Sequence, residues 1–98
     1  MNTTRHKNLK QRERAEIWKA PLMAEEKVVM LALHDFDVFG QPFDSKTIAY
    51  RCGLSQRQLR EILGELEARR MVYVTTTVGL RWLVRRGKTW LADEVTSL

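Results

Sequence analysis

Residues 44–68 read DSKTIAYRCGLSQRQLREILGELEA, two short helical stretches about a tight turn. Asp44 or Ser45 can open the first, because an oxygen side chain accepts a bond from an otherwise unpaired N–H in the first helical turn. Ile48, Ala49 and Cys52 give it one small apolar face. Gly53 ends it, since glycine enters the left-handed conformation of a helix stop without steric cost. Leu54 is the apolar plug of the turn. Ser55 opens the second helix, and Gln58, three residues on, completes a reciprocal capping box. Leu59, Ile62, Leu63 and Leu66 then follow at helical spacing as one buried stripe.

A small residue at Ala49, glycine four positions later, and an apolar pair where the second helix crosses the first form the spacing of a helix-turn-helix, and the stretch closely resembles that family's motif. The resemblance implies that the second helix lies in the DNA major groove. Its outward residues near the start are Ser55, Gln56, Arg57, Arg60 and Glu61. Arginine can give two donors to guanine, glutamine can read adenine, and serine can hold a phosphate. The competing structural reading is a plain pair of core helices with a solvated polar face.

Ninety-eight residues make one domain. With 44% apolar and 30% charged residues, the chain is expected to fold around a small core. A single cysteine rules out an intramolecular disulfide framework, which suits a cytoplasmic protein. Cys52 reads as a small buried hydrophobe rather than a reactive thiol. No apolar run is long enough to span a bilayer, and the polar start carries no secretion signal.

The net charge of +5 is uneven. Residues 1–20 hold Arg5, Lys7, Lys10, Arg12, Arg14 and Lys19 against Glu13 and Glu16, a net +4. This segment is rich in helix formers, with Thr3 or Thr4 as a possible cap and helix predicted over 5–20. It is a basic arm along a phosphate backbone, a helix pinned by Ile17 and Trp18 to the domain or a second subunit, or a solvated basic tail; these roles are not exclusive.

Pro21 breaks that run. Residues 22–35 are predicted as the first core helix, with Glu25 and Glu26 at the positive end of its dipole and apolar residues nearly all round. Residues 35–43 form an unusually apolar loop in which at least one phenylalanine plugs the core. His34, Asp35, Asp37 and Asp44 match no metal-ligand spacing, and carboxylates near helix ends more often act as caps. Residues 72–77 are β-branched and aromatic and read as a strand. Val78-Gly79 is a turn. Residues 80–85 return, with Leu80, Trp82 and Val84 on one face and Arg81, Leu83 and Arg85 on the other. Trp90 to Val95 is a last short helix that closes the core or a dimer face.

Three helices followed by a hairpin extend the resemblance to the winged helix-turn-helix form over residues 22–88. The fold expected is mainly α with a small β-hairpin: a three-helix core plus wing in residues 21–98, with extra N-terminal and C-terminal helices. Residues 86–91, Arg-Gly-Lys-Thr-Trp-Leu, are similar to the exit from the wing in multiple-antibiotic-resistance-type regulators, and residues 35–43 resemble the winged-helix domains of phage and plasmid replication proteins. The resemblance implies groove reading by Ser55, Gln56, Arg57 and Arg60, backbone contacts by Lys46 and Thr47, and a wing role for Thr75, Thr76, Thr77 and Arg81. The wing tip is short and uncharged, which implies phosphate contact rather than deep minor-groove insertion.

Gly87-Lys88-Thr89 is not a phosphate loop, because the glycine required five residues before Gly87 is Trp82. Neither His6 nor His34 is placed as a base for a serine or cysteine. The expected protein is therefore not an enzyme and needs no cofactor or metal. It binds double-stranded DNA sequence-specifically as a small regulator of bacterial or phage type, repressor-like, as a homodimer through the N-terminal segment or the last helix. Alternatives are a replication or recombination accessory protein at an origin or attachment site, and a protein-interaction module meeting an acidic partner through Gln56, Arg57 and Arg60.

Overall fold

A computed structural model describes the backbone of residues 2–88 and the side chains of residues 10–88; the expected last helix over 90–95 lies outside the described residues. Among the described residues, four helices run α1 (Asn2–Lys19), α2 (Ala24–Asp35), α3 (Ser45–Cys52) and α4 (Gln56–Ala68), with strands β1 (Phe43–Asp44), β2 (Val72–Val78) and β3 (Arg81–Arg86). The strands form one antiparallel sheet in the order β1-β3-β2. Val29, Met30 and Leu33 of α2, Ile48 and Ala49 of α3, and Leu59, Ile62, Leu63 and Leu66 of α4 meet in the core, which Val72, Trp82 and Val84 close from the sheet.

Residues 44–68 fold as their spacing demands. The Asp44 side chain accepts from Lys46 N at 2.9 Å, so Asp44 rather than Ser45 caps α3. Ser45 is instead fully buried, and its hydroxyl has no hydrogen-bond partner among the described residues. Gly53 sits at φ 71°, and Leu54 N donates to Ala49 O at 2.9 Å, which closes the end of α3. Ser55 Oγ accepts from Gln58 N at 3.1 Å, and Gln58 Oε1 accepts from Ser55 N at 2.9 Å. All four apolar stripe residues of α4 are buried.

Other expectations need correction. Helix α2 starts at Ala24 rather than Leu22, because Met23 is extended and the Glu26 carboxylate accepts its N–H at 2.9 Å. As its apolar residues imply, it is buried on more than one side, against α1, α3 and α4, although Val28 is exposed. Helix α1 reaches back to Asn2, so Thr3 and Thr4 lie inside it rather than at its cap. Ile17 anchors α1 in the core, but Trp18 is 56% exposed. Adjacent helical residues point about 100° apart; here Ile17 takes the inward position and Trp18 the outward one. In the loop, Phe39 and Phe43 are buried while Phe36 is exposed.

The hairpin gains a third strand, with Phe43 opposite Trp82. Val74 faces Val84 but Thr76 faces Leu83, so Thr75 is a bulge. Leu80 does not share the inner face of Trp82 and Val84. It lies in the turn with Gly79 (φ 57°) and is exposed. The hairpin is tied down at its base, where Gly87 N donates to Met71 O at 2.8 Å. A Cβ on Gly87 would fall 2.0 Å from Arg70 O, so only glycine permits that approach.

Candidate nucleic-acid interface

The capped start of α4 is where the polar residues of the motif emerge. Ser55 and Arg57 are exposed, and Gln56 and Arg60 are half-buried. The Arg57 side chain is 88% exposed, and its Nε lies 3.8 Å from Glu61 Oε2. The Arg60 guanidinium lies beside Gly64, one turn further along the helix, where an added Cβ would meet Arg60 Nη1 at 3.8 Å, an ordinary contact. Gln56, Arg57, Arg60 and Glu61 form, with Trp82, an open concavity of about 510 Å³ between α4 and the hairpin. Trp82 is its apolar floor, held by an indole N–H that donates to Gly79 O at 3.2 Å.

The other expected residues gather around this concavity to different degrees. Lys46 and Thr47 are exposed in the first turn of α3. That turn is joined to the hairpin tip by Ser45 N donating to Leu80 O at 2.8 Å. Thr75, Thr76, Thr77 and Arg81 are exposed on the hairpin. Thr75 is partly committed, its hydroxyl donating to Leu83 O at 3.1 Å, whereas Thr76 and Thr77 face solvent. The start of α3, the hairpin tip and the start of α4 therefore share one side of the domain.

The described side chains of the basic N-terminal segment meet the end of α2, the loop after it and the far end of β3. Arg14 bonds Asp35, and Lys10 Nζ lies 3.9 Å from Asp37. Glu13, nearly buried, accepts from Arg86 Nε and Nη2 at 2.8 and 3.1 Å and meets His34 Nδ1 at 2.5 Å. Arg86 is four residues along β3 from Trp82, about 13 Å at the usual strand rise. Lys10 and Arg14 thus answer acidic groups of the same chain; Arg12 is exposed, and the side chains of Arg5 and Lys7 lie outside the described residues.

One surface residue was missed. Tyr50 is 81% exposed, one turn beyond Lys46 on α3. The inward set Ile48, Ala49 and Cys52 already implies that position 50 points outward. Burial pushes the Cys52 thiol above its ordinary range, which makes it a poor nucleophile at neutral pH. Among the described residues, no group of three or more His, Cys, Asp or Glu side chains could hold a metal ion, and no helix is long and apolar enough to cross a membrane. Comparison with protein-family models, curated proteins and solved structures finds no match for this chain.

Proposed function

We propose that this domain is a winged helix-turn-helix that binds double-stranded DNA sequence-specifically, as a small repressor-like regulator of bacterial or phage type. The observation that carries the reading is the polar surface at the capped start of α4, where exposed Arg57 stands beside half-buried Gln56 and Arg60 in a concavity flanked by the hairpin through Trp82. A helix presented by its N-terminal turns suits the major groove, where arginine and glutamine make bidentate contacts to base edges. Lys46 and Thr47 on one flank and Thr76, Thr77 and Arg81 on the other are suited to the two phosphate backbones. Ser55 retains a role: its oxygen accepts the cap bond, and its O–H can still donate to a phosphate.

A single recognition helix spans few base pairs, so the reading includes a homodimer that doubles the contact. The test is selection from a pool of random duplex DNA, with sequencing of the bound fraction at two salt concentrations. The expected result is an enriched motif, with two half-sites reporting dimer geometry. Salt-sensitive retention without a motif would reduce the reading to nonspecific phosphate binding. No retention at low salt would overturn it.

A further inference from the structure

Helix α2 is covered on three sides, by α1, α3 and α4, and its fourth side is open. Ala24, Val28, Ala32 and Phe36 run along that side four residues apart, as one ridge of the helix. Ala24 is exposed, Val28 is 44% and Phe36 43% exposed, and Ala32 is half-buried. A solvated helix face usually carries charge; this ridge carries none.

Two features lie on the α3 flank of the ridge. At the N-terminal end of α2, Ala24 and Val28 form with Cys52 and Leu54 a hollow of about 120 Å³, with Glu25 also in its lining. At the C-terminal end Phe36 stands out, and the Arg51 guanidinium lies 5.6 Å from the centre of its ring. An apolar hollow and a projecting apolar ring are complementary in shape. Their charges are complementary too: Glu25 borders the hollow and Arg51 borders the ring. Neither has an ion-pair partner among the described residues.

Within one chain these parts cannot meet, because the 12 residues of α2 hold them about 18 Å apart. Two chains can bring them together. A twofold axis perpendicular to α2 at its middle sets two α2 helices antiparallel and face to face. It exchanges the two ends of α2 but leaves the α3 flank on the same side. Phe36 of each copy then faces the hollow of the other. Along the ridge Phe36 meets Ala24 and Val28 meets Ala32, a larger residue against a smaller one at each step. Arg51, carried with Phe36, arrives beside Glu25.

We propose that two copies of this chain pair through the open face of α2. Phe36 of each is seated in the hollow of Ala24, Val28, Cys52 and Leu54 of the other, and Arg51 is paired with Glu25 across the axis. Every contact occurs twice. The face of one helix and its flank is smaller than the roughly 800 Å² per partner of a standard interface, so the pair forms at high protein concentration. Two half-sites on one DNA would hold two copies close and favour it further. Its centre is apolar, so it persists in salt that screens the charges at its ends. None of these residues is among those assigned to DNA contact. The inference rests on the homodimer included in the proposed function and identifies the surface that makes it.

The test is sedimentation equilibrium of the whole chain without DNA, at concentrations up to roughly 1 mM and at low and high salt. The samples are the natural chain, Phe36→Ala, Glu25→Arg, Arg51→Glu, and a chain with both charge reversals. The natural chain should dimerise at both salt concentrations. Phe36→Ala leaves both hollows empty and should weaken dimerisation about tenfold or more. Each single reversal sets like charges against each other twice per dimer. It should weaken dimerisation about tenfold at low salt and less at high salt. The chain with both reversals regains each pair with the signs exchanged and should dimerise like the natural chain. That recovery also shows that the fold tolerates both substitutions.

A natural chain that stays monomeric throughout would overturn the proposal, as would a double reversal that fails to recover. Variants that all dimerise like the natural chain would place the contact on another surface and overturn it equally. Selection from the random duplex pool, run in parallel, separates this from the larger reading. A monomer that still selects a motif removes the α2 pairing and leaves DNA binding intact. A dimer with the expected variant pattern that retains no DNA keeps the pairing and removes the DNA reading.

Discussion

Arg57 and Arg86 are both arginines beside a glutamate, one at the start of α4 and the other at the end of β3. Arg57 is almost wholly exposed, 3.8 Å from a glutamate that is itself exposed. The arginine precedes the glutamate, which is the less favourable order along a helix. Arg86 makes two bonds, of 2.8 and 3.1 Å, to a nearly buried Glu13. Its guanidinium also stacks 4.6 Å from the centre of the Phe39 ring. The first pair is weak enough to exchange its partner for a phosphate or a base edge. The second holds α1, α2 and the sheet together and has little left to offer a ligand. The difference between an arginine left available and one committed to the fold lies in how deeply the partner glutamate is buried.

The largest effect should come from breaking the buried pair. Glu13→Ala would leave His34 and Arg86 facing an empty acceptor position. Removing one partner of a buried pair costs about 3–5 kcal/mol. Arg86 is 46% exposed and can turn to solvent, so about 2–3 kcal/mol is expected here. Urea denaturation would measure it, and Glu13→Gln, which keeps an acceptor, should lose less. A change within about 0.5 kcal/mol for Glu13→Ala would mean that the seam is not a stabilising device. Arg57→Ala should behave the opposite way. Stability should change by less than about 0.5 kcal/mol, while affinity for the selected DNA falls by about 1–3 kcal/mol and preference relaxes at one base position. An equal loss on every sequence would mark Arg57 as a phosphate contact. No loss at all would remove it from the interface.

The same contrast explains what could be read from sequence. The start of α4 is local. Ser55 and Gln58 are three residues apart, Gly53 stops one helix just before the next begins, and the apolar stripe obeys helical spacing. Each element of it follows from geometry within a few residues, so the Ser55 cap, the buried face and the exposure of Arg57 are legible, while Arg60 is half-buried. The seam is long-range. Glu13 and His34 are 21 positions apart, and Glu13 and Arg86 are 73 apart. Nothing near Glu13 distinguishes it from Glu16. The third strand failed to appear for a related reason: two residues, Phe43 and Asp44, are too few to show alternation, and their pairing with β3 lies at a distance in sequence. Leu80 was misplaced because the β-branched run and the aromatic of the return strand do not fix where the turn ends.

Ser55 sits between the two regions in character, since it is exposed like Arg57 but committed to a structural bond. Ser55→Ala removes the acceptor for Gln58 N and should cost about 1 kcal/mol in thermal or urea denaturation. Ser55→Asp keeps a cap acceptor but has no O–H to donate and adds a negative charge. If the hydroxyl touches a phosphate, the aspartate variant should hold its stability and lose DNA affinity, and the two assays should diverge. If both assays stay at the natural level, Ser55 is a cap only.

The smallest effect should come from Arg14. It bonds Asp35, as Arg86 bonds Glu13, but both members of the Arg14 pair are close to half exposed. Exposed ion pairs contribute roughly 0–1 kcal/mol because water competes for each charge and ordering two flexible side chains costs entropy. Arg14→Ala should therefore shift the denaturation midpoint by an amount equivalent to less than about 1 kcal/mol, and less still at high salt. The comparison is most informative as a cycle, with Arg14→Ala measured in the natural chain and in the Glu13→Ala background. If the seam is one network through His34, whose Nε2 lies 4.0 Å from Asp35, the two losses should not add. If they add, the buried Glu13–Arg86 pair holds α1 alone, and Arg14 is a surface charge that happens to lie beside it.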